Sequence, residues 1–254
     1  MYRLSAGDSA GAVIDGERSM VSEDTDYTDE ITAVTAHFFG FESEICGGIS
    51  SYEWALGEGS QGRQRESVMS FTTRGIVAVG TSGDGYAQAN LPNLRSFGSR
   101  RLYVTVRGIT GCSDILESTS NGFVIDSVPP SLEIIETGPQ AIENAQIISR
   151  DSPASSVYQV EAGYSSIWRA YDAQSGLSNQ TLVDIGTYPY GSDISDNIAI
   201  SENYIRSQIM SADGVATYVT VTVTSGAGIE SKRTSSPIIR DTTPPTVGEV
   251  CLSL

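Results

Sequence analysis

Tyr103-Val104-Thr105-Val106 recurs as Tyr218-Val219-Thr220-Val221, so one strand-like segment stands twice in the chain at a spacing of 218 − 103 = 115 residues. Asp126-Ser127-Val128-Pro129-Pro130 recurs as Asp241-Thr242-Thr243-Pro244-Pro245 at the same spacing, 241 − 126 = 115. A constant spacing over both segments indicates a repeated unit that contains a strand and the segment by which the chain leaves the unit. We call this second segment, residues 126–130 or 241–245, the chain exit. A unit of this size is typical of a self-contained β-sandwich of roughly 100 residues.

The repeat predicts two complete domains in a chain of 254 residues, and each is long enough to bury its own core. We expect a first β-sandwich over residues 1–130, a second over residues 131–245 and the start of a third over residues 246–254. The last segment follows its proline pair as Ser131-Leu132-Glu133-Ile134-Ile135 follows the first pair. We therefore expect the array to continue beyond this chain.

The formal net charge of −16 excludes a nucleic-acid binder that works by neutralising phosphates, because such a protein needs a concentrated basic face. The charge also argues against binding to an anionic membrane surface. No run of eighteen or more apolar residues is present, so we expect no direct membrane insertion.

Short segments rich in β-branched and aromatic residues, separated by Gly and Pro, predict an all-β fold of antiparallel sheets. The predicted strands lie around Val13-Ile14 and over residues 31–39, 49–57, 68–72, 76–79, 102–109, 122–125, 158–160, 166–171, 182–186, 218–224 and 237–240. Residues 80–85 are glycine-rich and predict a turn. Residues 201–210 are the most helical stretch and predict one helical turn at most.

The Asp-x-x-Pro-Pro element predicts a stiff junction at the end of each unit. Proline fixes φ and donates no hydrogen bond, so Pro129 and Pro130 end one sheet and keep the chain extended, as Pro244 and Pro245 do later. The alternative is an ordinary strand terminator. Because the element closes both units, we interpret it as a spacer that limits bending between neighbours.

Several motifs resemble tandem fibronectin type III or immunoglobulin-like repeats of large extracellular cell-surface or filament proteins. The second unit carries Trp168-Arg169-Ala170-Tyr171-Asp172-Ala173-Gln174-Ser175-Gly176-Leu177 and then Asp184-Ile185-Gly186-Thr187. The first unit carries Gly48-Ile49-Ser50-Ser51-Tyr52-Glu53-Trp54-Ala55-Leu56-Gly57 and closes with Val124-Ile125 and the Asp126 exit. It departs from the pattern with Phe39 near the expected Trp, and the second unit has Thr181-Leu182-Val183 in place of Tyr-x-Trp.

The resemblance implies two immunoglobulin- or fibronectin-III-like sandwiches that serve as structural or adhesive modules at the cell surface or outside the cell, without catalytic residues. The implied partners are neighbouring repeats and other copies or surface proteins in a filament or matrix. Tyr103 and Tyr218 resemble the strand-F tyrosine whose hydroxyl ties the strand to a corner. The rival functions are a carbohydrate-binding pair, which needs exposed aromatic side chains, and accessory modules of a larger secreted hydrolase.

Cys46 and Cys112 are a candidate disulfide, because the sandwich interpretation places them in loops that cluster at one end. The second unit has Ala227 in place of Cys112 and no counterpart of Cys46, so both members are absent together. Two free buried thiols are the alternative. Cys251 belongs to the incomplete third unit, where it either pairs beyond this chain or stays free.

The remaining candidates are weaker signals. The acidic run around Asp24, Asp26 and Asp29 supplies carboxylates of the kind that calcium prefers, but matches no calcium-loop signature, and a solvated acidic loop is the alternative. Asn179-Gln180-Thr181 is a glycosylation sequon in a predicted loop. Trp54 and Trp168 stand at alternating strand positions typical of a core, although tryptophans also line sugar sites.

The sequence contains few of the residues and motifs that catalytic sites use. His37 is the only histidine, so a histidine-metal cluster cannot be built. A His-Glu-x-x-His motif is absent from the sequence. Paired carboxylates remain available in number, but nothing in their placement indicates a glycosidase. We therefore expect neither an enzyme nor a cofactor.

Overall fold

The computed structural model describes residues 7–16, 24–30, 32–79, 83–138, 157–159, 163–208 and 211–246. Within these ranges the chain is all-β, with two short 3-10 helices (Gly62–Glu66 and Leu94–Phe97) and no α-helix. No helix in the described ranges has the length and apolar character to cross a membrane. The chain divides into two compact units, the first formed by Met1–Val128 with Gly226–Ile229 and the second by Pro129–Ser225 with Glu230–Leu254.

The first unit contains ten strands in the described ranges. They are β1 (Asp8–Asp15), β2 (Tyr27–Thr28), β3 (Ala33–Ser43), β4 (Ile49–Gly57), β5 (Met69–Thr72), β6 (Ile76–Val79), β7 (Asp84–Asn90), β8 (Arg101–Thr110), β9 (Ile115–Thr119) and β10 (Phe123–Ile125). One sheet has the order β1-β3-β7-β6, and the other has the order β2-β10-β8-β4-β5 with β9 also paired to β8. All pairings are antiparallel except the parallel pair of β2 with β10.

Side chains from both sheets of the first unit form a single core, which defines a β-sandwich. Phe38 and Phe41 of β3 pack edge to face with their ring centroids 6.0 Å apart. Trp54 and Leu56 of β4 belong to the same buried cluster. Tyr52 is partly buried and contacts Phe38 at a centroid distance of 4.7 Å.

In the described ranges the second unit repeats this architecture, and its smaller sheet has three strands. Its strands are β11 (Ser131–Gly138), β12 (Val157–Gln159), β13 (Tyr164–Tyr171), β14 (Leu177–Gly186), β15 (Ser195–Ile200), β16 (Tyr204–Ser207), β17 (Ala216–Ser225), β18 (Glu230–Thr234) and β19 (Ile238–Arg240). The sheets have the orders β11-β13-β16 and β12-β19-β17-β14-β15, with β18 also paired to β17. Trp168 of β13 packs with Ile185 of β14 and Val219 and Val221 of β17, so this unit is also a sandwich.

Two sequence expectations are corrected by the structure. Asp84 and Gly85 belong to β7, although residues 80–85 predicted a turn; residues 80–82 lie outside the described ranges. A Cβ atom on Gly85 would lie 2.4 Å from the ring of Phe38, so this glycine permits close packing in a strand. The most helical stretch contains β16, because Ile205 is buried in the core and the segment pairs with β13.

Candidate functional site

Both chain exits contain the same side-chain turn. Asp126 Oδ1 accepts a hydrogen bond from the N–H of Val128 at 3.0 Å. Asp241 Oδ1 accepts the equivalent bond from the N–H of Thr243 at 3.0 Å. This Asx turn explains the aspartate that begins each exit element, because its carboxylate accepts the N–H of the residue two positions later, which directly precedes the proline pair.

The prolines that follow differ in their surroundings. Pro129 is exposed, whereas Pro130 is buried and its carbonyl oxygen accepts a hydrogen bond from the hydroxyl of Ser231 in β18. Pro244 and Pro245 are both exposed. The first proline pair is therefore attached directly to the second sandwich.

Each chain exit is held by a turn in the other part of its unit. The turn precedes β8 in the first unit and β17 in the second. Ser99 donates its N–H to the carbonyl oxygen of Ile125 at 3.2 Å, and Gly214 donates to Arg240 at 2.8 Å. Both donors have left-handed backbone angles, with φ of 66° and 74°. The two pairs stand at the 115-residue spacing (214 − 99 = 115), so the exit and its anchor are repeated together.

The second exit has an additional acidic clamp. Asp213 Oδ1 accepts hydrogen bonds from the N–H and the hydroxyl of Thr242, both at 2.9 Å. Its Oδ2 also accepts a longer bond from the hydroxyl of Thr243 at 3.4 Å. The hydrogen bonds from Thr242 hold the pKa of Asp213 below its usual value.

A disulfide joins Cys46 to Cys112, with 5.2 Å between their Cα atoms. It links the chain after β3 to the chain after β8 and closes a separation of 66 residues. The two linked segments approach closely, since a Cβ atom on Gly111 would lie 2.3 Å from the carbonyl oxygen of Cys46. Cys251 lies outside the described residues.

Two of the three calcium candidates have protein partners, and the three do not converge on a metal site. Asp24 accepts hydrogen bonds from the N–H of Asp15 and from the side-chain amide of Asn121. Asp26 lies 3.7 Å from the guanidinium of Arg101, and Asp29 is exposed. In the part of the chain that the structure describes, no group of three or more His, Cys, Asp and Glu side chains could hold a metal ion.

Asp15, at the end of β1, is a buried acid that the sequence did not single out. The residue is 1% exposed, and Oδ2 accepts the N–H of Gly122 at 3.1 Å. Oδ1 is buried and has no hydrogen-bond partner among the described residues. Burial raises the pKa of Asp15 to about 7, helped by the nearby charge of Asp24, while the neighbouring Ser120 side chain and the N–H of Gly122 oppose the shift.

The two strand-F tyrosines do not form the corner that the resemblance implies. Leu102 and Val104 point into the core, so Tyr103 lies on the outer face of β8, and Tyr218 is placed likewise in β17. In the described residues no hydrogen bond reaches either hydroxyl. The ring of Tyr103 instead covers Gly122, where a Cβ atom would lie 2.8 Å from it.

The two tryptophans are core residues. Trp54 is 0% exposed and Trp168 is 1% exposed, so neither lines a sugar site. The indole N–H of Trp54 donates to the carbonyl oxygen of Arg74 at 2.8 Å, which satisfies its only polar group.

Asn179 is exposed, but it lies within strand β14 and not in the predicted loop. The pairing of β14 with β17 shifts register between Leu177 and Thr181. The sequon therefore stands in an irregular part of the strand, where the ladder is interrupted. Glycosylation at this position stays a prediction.

The connection between β14 and β15 carries two exposed aromatic side chains that the sequence did not single out. We call residues 187–193 the tyrosine loop. Tyr188 is 57% exposed and Tyr190 is 53% exposed. Asp193 fixes the base of the loop, because its two carboxylate oxygens accept the N–H and the hydroxyl of Thr187, each at 2.8 Å. These bonds lower the pKa of Asp193.

The tip of the tyrosine loop is tightly packed. Gly191 donates its N–H to the carbonyl oxygen of Tyr188 at 2.9 Å. A Cβ atom on Gly191 would lie 2.9 Å from the ring of Tyr188, so the ring rests on the glycine backbone. Tyr190 has a φ of 64°, a left-handed conformation that is unusual for a bulky residue.

No protein-family model and no curated protein sequence matches this chain. Among solved structures, the chain is similar to one described as structures of Clostridium thermocellum CbhA fibronectin(III)-like modules. The sequence identity is 9% and the TM-score is 0.46, with 93% of this chain and 100% of that chain covered. This likeness concerns the fold alone.

Proposed function

We propose that the two sandwiches are structural or adhesive modules of a longer extracellular repeat array and that they act as a semi-rigid rod in a cell-surface or filament protein. One observation carries this proposal: both exits place the same Asx turn directly before a proline pair. The turn fixes the direction in which the chain leaves the sheet, and the prolines then restrict φ.

The anchoring of the exits supports the same proposal. The corners at Ser99 and Gly214 each add a backbone hydrogen bond to the last strand of their unit. Asp213 adds further bonds to the second exit. Each backbone bond at these corners contributes about 0.5–1.5 kcal/mol, and the side-chain bonds of Asp213 add to the second exit, so hinge motion within the exits is unfavourable.

The disulfide and the charge are consistent with an extracellular position. Disulfides persist in oxidising compartments and are rare in the cytosol. A net charge of −16 keeps copies soluble and limits unspecific association. In this proposal the partners are neighbouring repeats and other copies or surface proteins, and the modules perform no catalysis.

Small-angle X-ray scattering of the whole chain tests the rod. For the natural sequence we expect an elongated particle whose maximum dimension is well defined. The Pro129→Gly/Pro130→Gly variant removes the restriction between the two sandwiches, so we expect its distance distribution to broaden.

The control is Pro244→Gly/Pro245→Gly, which makes the same change at the second exit, where only residues 246–254 follow in this chain. We expect this variant to scatter like the natural sequence. Identical flexibility of the natural chain and the Pro129/Pro130 variant would contradict the proposal.

A further inference from the structure

The tyrosine loop exposes two aromatic rings on a backbone that the fold holds in place. Tyr188 and Tyr190 gain little from burial, and Tyr190 also occupies a left-handed conformation that costs stability. A strained backbone conformation persists when the surrounding contacts hold it in place. Here the hydrogen bonds of Asp193 and Gly191 hold the loop on either side of Tyr190. Such positions cluster at ligand-binding sites.

We propose that the tyrosine loop binds a neutral carbohydrate chain, with the rings of Tyr188 and Tyr190 stacked against sugar rings. Aromatic faces pack against the C–H faces of a pyranose, while the phenolic hydroxyls and the exposed hydroxyl of Ser192 exchange hydrogen bonds with its hydroxyl groups. This site is independent of the rod proposed above, because it needs only the second sandwich.

The size of the surface favours a sugar over a protein partner. A stable protein interface buries roughly 800 Å² per partner and uses about 20–30 residues on each side. The tyrosine loop has seven residues. Among the other exposed large apolar side chains described in the second unit, Tyr171 and Leu177 flank the turn at the opposite end of β14, whereas Val215 shortly precedes Tyr218, the strand partner of Gly186. Two exposed rings that stand two residues apart in the loop match a ligand built of six-membered rings.

The charge of the surface favours a neutral sugar. Residues 186–193 contain no Lys or Arg, and the chain carries a net charge of −16, so an anionic polysaccharide meets repulsion. Asp193 is the only acid of the loop, and Thr187 occupies both of its oxygens. The groups left to a ligand are therefore uncharged.

The rigid backbone strengthens this assignment. Binding is weakened when a loop must become ordered, and a preorganised loop avoids that cost. The bonds at Thr187 and Gly191 fix both ends of the aromatic segment before any ligand arrives. A tyrosine also supplies a large contact area with few rotatable bonds.

Native affinity electrophoresis of the whole chain tests the proposal. The gels contain hydroxyethyl cellulose, laminarin, galactomannan or arabinoxylan as neutral probes, and alginate as an anionic one. We expect at least one neutral polysaccharide to retard the natural chain. Tyr188→Ala and Tyr190→Ala should each weaken the apparent affinity about tenfold, the equivalent of one aromatic contact of ~1.4 kcal/mol.

Two variants serve as controls. Tyr171→Ala removes an exposed tyrosine (65% exposed) from the end of β13 in the same unit and should leave retardation unchanged. Tyr188→Phe keeps the ring and should retain most of the affinity. Near-ultraviolet circular dichroism verifies that each variant is folded. Retardation by no neutral probe, by alginate alone, or equally in a folded Tyr188→Ala/Tyr190→Ala variant overturns the proposal, as does an equal loss in Tyr171→Ala.

Discussion

The hydroxyl oxygen of Ser120 accepts a hydrogen bond from the N–H of Val104 at 3.0 Å, while the N–H of Ser120 donates to the carbonyl oxygen of Val104 at 2.9 Å. Ser235 and Val219 make the same pair of bonds at 3.0 and 2.8 Å. Both pairs keep the repeat spacing, since 235 − 120 = 115 and 219 − 104 = 115. In each unit the serine lies between the last two strands (β9 and β10, or β18 and β19), where its hydroxyl supplies the acceptor for a backbone N–H of the neighbouring strand.

We predict that Ser120→Ala destabilises the first unit by ~1–3 kcal/mol, because it leaves the N–H of Val104 buried without an acceptor. Urea unfolding followed by the fluorescence of Trp54 in a Trp168→Phe background measures this unit alone, since each unit contains one tryptophan. Ser118→Ala, at a partly exposed position of β9, is the matched control and should change the free energy of unfolding little. Equal effects of the two substitutions would contradict the assigned role.

The disulfide should stabilise the first unit only. The Cys46→Ser/Cys112→Ser variant reopens a separation of 66 residues, and the chain-entropy model predicts a loss of up to ~4 kcal/mol. The same Trp54 fluorescence measurement reports this loss, and the complementary Trp54→Phe background should show the second unit unchanged. Cys251→Ser is the control for removal of a cysteine. Wild-type stability in the double variant would show that the bond contributes nothing.

The outer-face position of Tyr103 predicts that its hydroxyl contributes little to stability. Tyr103→Phe should change the free energy of unfolding of the first unit by less than about 0.5 kcal/mol, the usual range for surface positions. Tyr103→Ala should cost about 1 kcal/mol, because it uncovers the backbone at Gly122. A loss of about 1–2 kcal/mol in the Tyr103→Phe variant would instead support the hydrogen-bonded tyrosine corner that the sequence resemblance implied.

The sequence predicted those features that depend on local pattern. Trp54 and Trp168 stand at strand positions typical of a core and are both buried, and the proline pairs mark both exits. The aspartate of each exit acts on a residue only two positions away, so its role follows from turn chemistry. Ser120 and Ser235 could also have been found by extending the repeat alignment to every residue.

Features that depend on distant contacts were not predictable in the same way. The glycine-rich run at residues 80–85 predicts a turn, whereas Gly85 lies in β7 against the ring of Phe38, a distant contact that no local pattern shows. Asp15 is buried against Gly122, 107 residues away, so no local pattern distinguishes it from the exposed acids nearby. The tyrosine loop carries no motif, and its significance depends on exposure and backbone angles that only the fold determines.

Asp15 should make the first unit less stable as the pH rises. Its pKa is about 7 in the folded chain and 3.8 for an unperturbed aspartate, so between these values the folded state holds a proton that the unfolded state has released. The contribution of Asp15 to stability is therefore greatest below about pH 4 and falls by up to about 4 kcal/mol as the pH approaches 7, since each pKa unit corresponds to about 1.4 kcal/mol. Above pH 7 this contribution is constant.

Asp15→Asn removes the titrating group but keeps an oxygen that accepts the N–H of Gly122. We expect it to match the natural sequence near pH 4 and to be more stable by a few kcal/mol near pH 8, measured by urea unfolding with Trp54 fluorescence. Asp29→Asn removes the same charge from an exposed position of the same unit and should leave the pH slope unchanged. Parallel pH profiles for Asp15→Asn and the natural chain would show that this carboxyl does not titrate between pH 4 and 7.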